Sequence, residues 1–119
     1  MRHVQAESSS PVDWVSLLQA MGGDRDILVE VARLFLEFGP DQVLAVEEAL
    51  SHGDAATLRS TAHRLKGSLA QLHVDSATEH AAELEQYGQR GELGPARGLW
   101  LTLREEVNQI QQAIEDWLR

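Results

Sequence analysis

The chain has 119 residues, enough for one hydrophobic core and small for two. Its net charge of −9 argues against nucleic acid and anionic membrane surfaces as partners. The absence of cysteine excludes a disulfide framework and a thiolate metal site and fits a reducing cytoplasm. No apolar run approaches the ~20 residues of a membrane span, and the N-terminus lacks a signal-peptide core.

Residues 1–10 are polar, with three consecutive serines, and read as a flexible lead-in in which His3 has no assigned role. Residues 11–119 read as one helical domain. Ser10-Pro11 predicts a helix start, with Ser10 as N-cap and Pro11 at the first helical position. Trp14, Leu17, Leu18 and Met21 follow at helical spacing, and Gly22-Gly23 stops them. Asp24 caps a second helix with a wide stripe of Ile27, Leu28, Val31, Leu34, Phe35 and Phe38. Both phenylalanines are expected in the core. Gly39-Pro40 predicts a break or kink, after which Val43, Val46 and Leu50 continue the apolar face as far as His52-Gly53.

Asp54 caps the third helix, which is expected to run to about His73. Leu58, Ala62, Leu65, Leu69 and Leu72 form its buried stripe. Asp75 or Ser76 is the expected N-cap of a fourth helix, with Glu79 closing a capping box on Ser76. Ala77, Ala81, Leu84 and Gly88 face inward there. Gly88 to Gly94 reads as a linker, and Pro95 as the restart of a last helix carrying Leu99, Leu103, Val107, Ile110, Ile114 and Trp117. The pattern predicts an all-α fold: an antiparallel up-down-up-down four-helix bundle with a short additional N-terminal helix.

The third helix carries the chemistry. At about 100° per residue, His63 falls off the apolar stripe, with Ala56, Arg59, Gly67 and Ala70 around it and Lys66 about 60° to one side. A glycine inside a helix costs about 1 kcal/mol relative to alanine, and Gly67 clears space one turn from the imidazole. Lys66 is the only lysine in the chain. Between Ala55 and Val74 there are three basic residues, Arg59, Arg64 and Lys66, and no acidic one, against the overall charge. A neutral imidazole, a nearby cation and an open approach suit an anionic group such as a phosphoryl. The turn between the third and fourth helices is very short, so they pair antiparallel. With the turn centred near Val74, His63 lies eleven residues before it and Glu85 eleven after, which brings the two side by side. Glu85 can then fix the tautomer of His63 and aim its other nitrogen outward.

Ala62-His63-Arg64-Leu65-Lys66-Gly67-Ser68 resembles the A-H-x-L-K-G-S signature of histidine-containing phosphotransfer (HPt) domains. The resemblance extends from about Val12 to the end and includes Gly22-Gly23-Asp24, Pro40, Gly53-Asp54 and Leu84-Glu85. One departure is His73, where the family usually has glycine, and this puts the end of the third helix in question. The resemblance implies that His63 is the phosphoacceptor, that Lys66 offsets phosphoryl charge, and that Glu85 orients the ring. It further implies that Ala56, Arg59, Arg64, Gly67, Ser68 and Ala70 form a docking face. The implied partners are response-regulator receiver domains, of a hybrid sensor histidine kinase and of a downstream regulator.

The chain has neither a G-x-x-x-x-G-K-[ST] loop nor a kinase glycine loop, and no carboxylate cluster suggests Mg²⁺. The expectation is a monomeric cytoplasmic phosphocarrier without an ATP site or cofactor of its own, with Mg²⁺ on the partner receiver. Two other readings compete. One is a receiver-binding adaptor that is never phosphorylated. The other is a metal-binding bundle, which the sequence disfavours: only His80 has a close preceding acid, Glu79, and the two point different ways.

Overall fold

The computed structural model describes residues 10–119, so the lead-in reading for residues 1–9, His3 included, lies outside the described residues. Among the described residues there are five helices and no strand: α1 (Trp14–Ala20), α2 (Arg25–Ser51), α3 (Ala55–Gln71), α4 (Asp75–Arg90) and α5 (Leu93–Leu118). Helices α2 to α5 form a four-helix bundle in which α3 packs between α2 and α4, and α5 closes the ring against both.

Helix α1 starts three residues later than Ser10-Pro11 suggested. Asp13 is its N-cap, accepting from the Ser16 amide at 3.1 Å, and Ser10 instead bonds the backbone of Val12. A carboxylate on the first exposed amides of a helix is favoured by charge as well as geometry. Gly22 and Gly23 end the helix with φ of 69° and 80°, values that only glycine adopts freely. The short helix is fastened to the far end of the bundle by Trp14, whose ring stacks on Trp117 at 4.3 Å and 6°. Arg25 lies 4.5 Å over the Trp117 ring.

Helix α2 runs unbroken through Pro40 for 27 residues, about 40 Å at 1.5 Å per residue. The reason is phase. Leu28, Phe35 and Val46 are seven and eleven residues apart, which is one line on a helix, so the two halves bury the same face. Helix α5 also grips the half beyond the proline: Arg97 donates to the Leu50 carbonyl at 2.8 Å, Trp100 to Glu47 at 3.3 Å, and Arg104 pairs with Glu47 at 3.0 Å. The expected wide stripe is narrower than predicted. Phe35 is buried, whereas Phe38, Ile27 and Leu34 are half exposed on one flank.

Asp54 caps α3 as expected, accepting from the Thr57 amide at 3.0 Å. The helix ends at Gln71 rather than His73, because His73 turns the chain with φ of 55°. That left-handed conformation suits glycine, and histidine is one of the few other residues enriched there. Helix α4 follows at once. Its N-cap is Val74, with no side-chain cap, and the expected capping box is absent because Ser76 bonds Glu106 of α5 at 2.7 Å. Helix α4 continues through Gly88 to Arg90 and ends on Gly91 at φ of 73°, so the predicted Gly88–Gly94 linker shrinks to Gly91-Glu92. Pro95 is the third residue of α5, where a backbone N–H has no helical partner to lose. Ala96 and Trp100 begin the buried line of α5, ahead of Leu103, Val107, Ile110 and Ile114, while Leu99 and Trp117 are only partly buried.

Candidate functional site

Helix α3 turns Leu58, Ala62, Leu65 and Leu69 into the core, each fully buried, and this fixes the opposite face toward solvent. His63 stands on that outer face with 66% of its side chain exposed. Ala56, Arg59, Gly67 and Ala70, the four positions around it on the helix, are all exposed, as is Arg64, and Ser68 is half-buried. A Cβ added at Gly67 would meet no heavy atom within 4 Å, so the space beside the ring is open.

The short turn at His73-Val74 sets the pairing of α3 with α4. His63 Nδ1–H donates to Glu85 Oε2 at 3.0 Å, 22 positions along the chain. An ionised carboxylate only accepts, so the proton sits on Nδ1 and the lone pair of Nε2 faces outward. Glu85 is bound on its second oxygen as well: Lys66 Nζ donates to Oε1 at 2.7 Å. Burial of Glu85 raises its pKa, but the hydrogen bonds from Lys66 and His63 outweigh that and hold the carboxyl below its ordinary range. The site is thus three residues on two helices joined through one carboxylate. The shared hold on Lys66 was not read from the sequence. The signal was available, since Lys66 is one turn beyond His63 on the side that faces α4, and a lysine stem spans the remaining distance.

Arg59 and Arg64 flank the imidazole, and neither forms an ion pair among the described residues. An open groove beside the site runs between the start of α3 and the end of α4 and is lined by Ala56, Arg59, Gly88 and Arg90. A second histidine has a similar setting. His80 Nδ1 bonds Glu106 Oε1 at 2.6 Å, and Ser76 Oγ donates to Glu106 Oε2 at 2.7 Å. Counting across the turn does not reveal this pair: His80 lies eleven residues before Gly91 and Glu106 fourteen after Glu92. His80 is only 31% exposed, has no lysine on its carboxylate, and lies one turn from Glu83 on α4. Its carboxylate partner is Glu106 of α5. Among the described residues no group of three or more His, Asp and Glu side chains is placed to hold a metal ion.

A four-helix bundle that presents an acid-backed imidazole from the middle of one helix is the architecture of a histidine phosphotransfer module. The family model described as "Hpt domain" matches residues 30–113, and the chain belongs to that family, which carries phosphoryl groups in two-component phosphorelays. Two solved structures are similar in fold. Histidine-containing phosphotransfer protein B from Pseudomonas aeruginosa is 24% identical, with a TM-score of 0.81 over 91% of this chain and 94% of its own. The HPT domain of a sensor hybrid histidine kinase from Shewanella is 23% identical, with a TM-score of 0.82 over 92% and 94%. No curated protein sequence matches significantly. No described helix is long and apolar enough to cross a membrane.

Proposed function

We propose that Nε2 of His63 accepts a phosphoryl group from the phospho-aspartate of a receiver domain and passes it to the aspartate of another. The observation that carries this reading is the His63–Glu85 hydrogen bond on an imidazole two-thirds exposed: the ring is aimed, its nucleophilic nitrogen is bare, and nothing stands in front of it. Transfer is in line. The Nε2 lone pair forms the N–P bond as the P–O bond to the donor aspartate breaks, and that electron pair stays on the aspartate carboxylate. Lys66 lies beside the ring and offsets part of the phosphoryl charge. The receiver supplies Mg²⁺ and most of the catalysis, since this chain offers no nucleotide motif. The chain acts as a carrier, as a monomer in the cytoplasm.

The docking face is formed by Ala56, Arg59, Arg64, Gly67, Ser68 and Ala70. Small side chains let the partner reach the ring, and the arginines complement an acidic receiver pocket. Antiparallel pairing about Gly53 puts Phe38 of α2 level with Ser68, which gives this face an apolar border.

The test is phosphotransfer from a panel of phosphorylated receivers with radiolabelled phosphate. His63→Gln is expected to abolish an acid-labile label with unchanged helical content, while His80→Ala keeps it. Label retained in His63→Gln and lost in His80→Ala would move the acceptor to the α4–α5 face.

A further inference from the structure

Glu85 does more in this geometry than aim a ring. We propose that it keeps phosphorylated His63 labile, by holding the Nδ1 proton on the phosphorylated ring and by holding Lys66 partly away from the phosphoryl oxygens. The proposal rests on the reading of His63 as phosphoacceptor.

The chemistry follows from the proton on Nδ1. A neutral imidazole that attacks through Nε2 becomes a phosphoimidazolium: it has gained the N–P bond and still carries Nδ1–H. If that proton is lost, the ring becomes neutral, and the next N–P cleavage must expel an imidazolate. If it is kept, cleavage expels neutral imidazole, the electron pair returns to Nε2, and the phosphoryl goes to an aspartate oxygen or to water. A protonated leaving group departs more easily. The charged side chains around His63 are Arg59, Arg64 and Lys66 on α3 and Glu85 on α4. The three cations favour loss of the ring proton, so Glu85 is the one charge in the site that retains it. It is well placed to do so, at 3.0 Å from Nδ1 with 17% of its side chain exposed.

The same carboxylate restrains Lys66. Its 2.7 Å contact to Nζ is a charge-assisted hydrogen bond, so the ammonium is divided between Oε1 and any phosphoryl on Nε2. Both effects act in one direction, toward a phosphohistidine that gives its group away readily.

Glu85→Gln separates orientation from charge. The amide oxygen still accepts from Nδ1, while the negative charge is gone and Lys66 is released. The protein is phosphorylated with a phosphorylated receiver and, independently, with phosphoramidate, and the loss of label is followed after the donor is removed. The half-life of the phospho-form is expected to lengthen about tenfold in Glu85→Gln, the factor equal to ~1.4 kcal/mol in a barrier. Onward transfer to an unphosphorylated receiver slows with it. Nitrogen-15 spectra are expected to show that Nδ1 of the phosphorylated ring loses its proton at lower pH in the variant. Without phosphate, the Lys66 ammonium signal is expected to be protected from exchange in the parent and not in the variant. A parent protein that takes no label from any donor overturns the phosphoacceptor reading and this inference with it. A labelled parent whose lifetime and Nδ1 titration match those of the variant overturns this inference alone.

Discussion

A side-chain carbon on Gly88 would lie 2.6 Å from the amide nitrogen of Arg59 and 2.9 Å from its Cα, so α4 and α3 meet backbone to backbone at this pair. The contact is one turn from Glu85 on one helix and one turn from His63 on the other. The 3.0 Å hydrogen bond of the site therefore depends on a glycine that touches neither partner. Backbone atoms cannot rotate away, so Gly88→Ala must push the helices apart. Relief of the helix penalty of glycine, about 1 kcal/mol, is smaller than the 1–3 kcal/mol typical of overpacking. Gly88→Ala is expected to be destabilised by about 1 kcal/mol in urea unfolding, with a weakened His63 Nδ1–H signal. A variant as stable as the parent would show that the crossing has slack.

Gly67 is the opposite case. Nothing lies within 4 Å of a Cβ placed there, so Gly67→Ala is expected to stabilise the protein by roughly 0.5–1 kcal/mol. If the space beside His63 serves docking, added bulk costs function while it adds stability. Gly67→Gln is expected to melt no lower than the parent yet to transfer phosphoryl at least about tenfold more slowly, a loss of ~1.4 kcal/mol. Unchanged transfer would remove the steric argument for this glycine.

His73 is the residue by which the chain departs from the family pattern, and the turn it makes explains the pattern. At φ of 55°, an L side chain costs roughly 1–2 kcal/mol relative to glycine. Part of that returns as unfolded-state entropy when glycine is introduced. His73→Gly is expected to raise stability by about 0.5 kcal/mol and Tm by about 2 °C, with phosphotransfer unchanged. Thermal melts of the two proteins check the first expectation, and a transfer assay checks the second.

The parts of the molecule legible in the sequence were those set by local chemistry and by counting. Asp24 and Asp54 read as caps because a short acid before an apolar period has one good role, and Glu85 pairs with His63 because a tight turn fixes the register of two helices. What failed was long-range. Pro40 signals a break or a kink, and the helix is not broken there because Leu28, Phe35 and Val46 share a phase that only the packed core rewards. Gly88 reads both as an inward position of the fourth helix and as the start of a linker, and the close approach of Arg59 that decides for the helix is invisible in the sequence. Ser76 had the spacing of a capping box, and a carboxylate thirty residues away claimed its hydroxyl. The hold of Glu85 on Lys66 falls between these cases: the register is legible, but the reach of a flexible lysine stem is settled only by the packed structure.

That hold gives the site a pH signature. Burial of Glu85 opposes ionisation, yet the donors Lys66 and His63 more than offset it, so the folded carboxyl titrates below the ordinary glutamate range. The sign of the linkage follows. A depressed folded pKa contributes stability that is fully present above the unfolded value and is lost as pH falls through the folded one. Acidification through the carboxylate range is therefore expected to loosen the α3–α4 face before the core gives way. The Glu85 carboxyl carbon, followed by NMR, is expected to titrate below the range of an exposed glutamate, and Lys66→Ala is expected to move its midpoint upward. A midpoint that Lys66→Ala leaves in place would mean that the ammonium contributes nothing to the carboxylate in solution, and the three-residue site would reduce to a histidine and its acid.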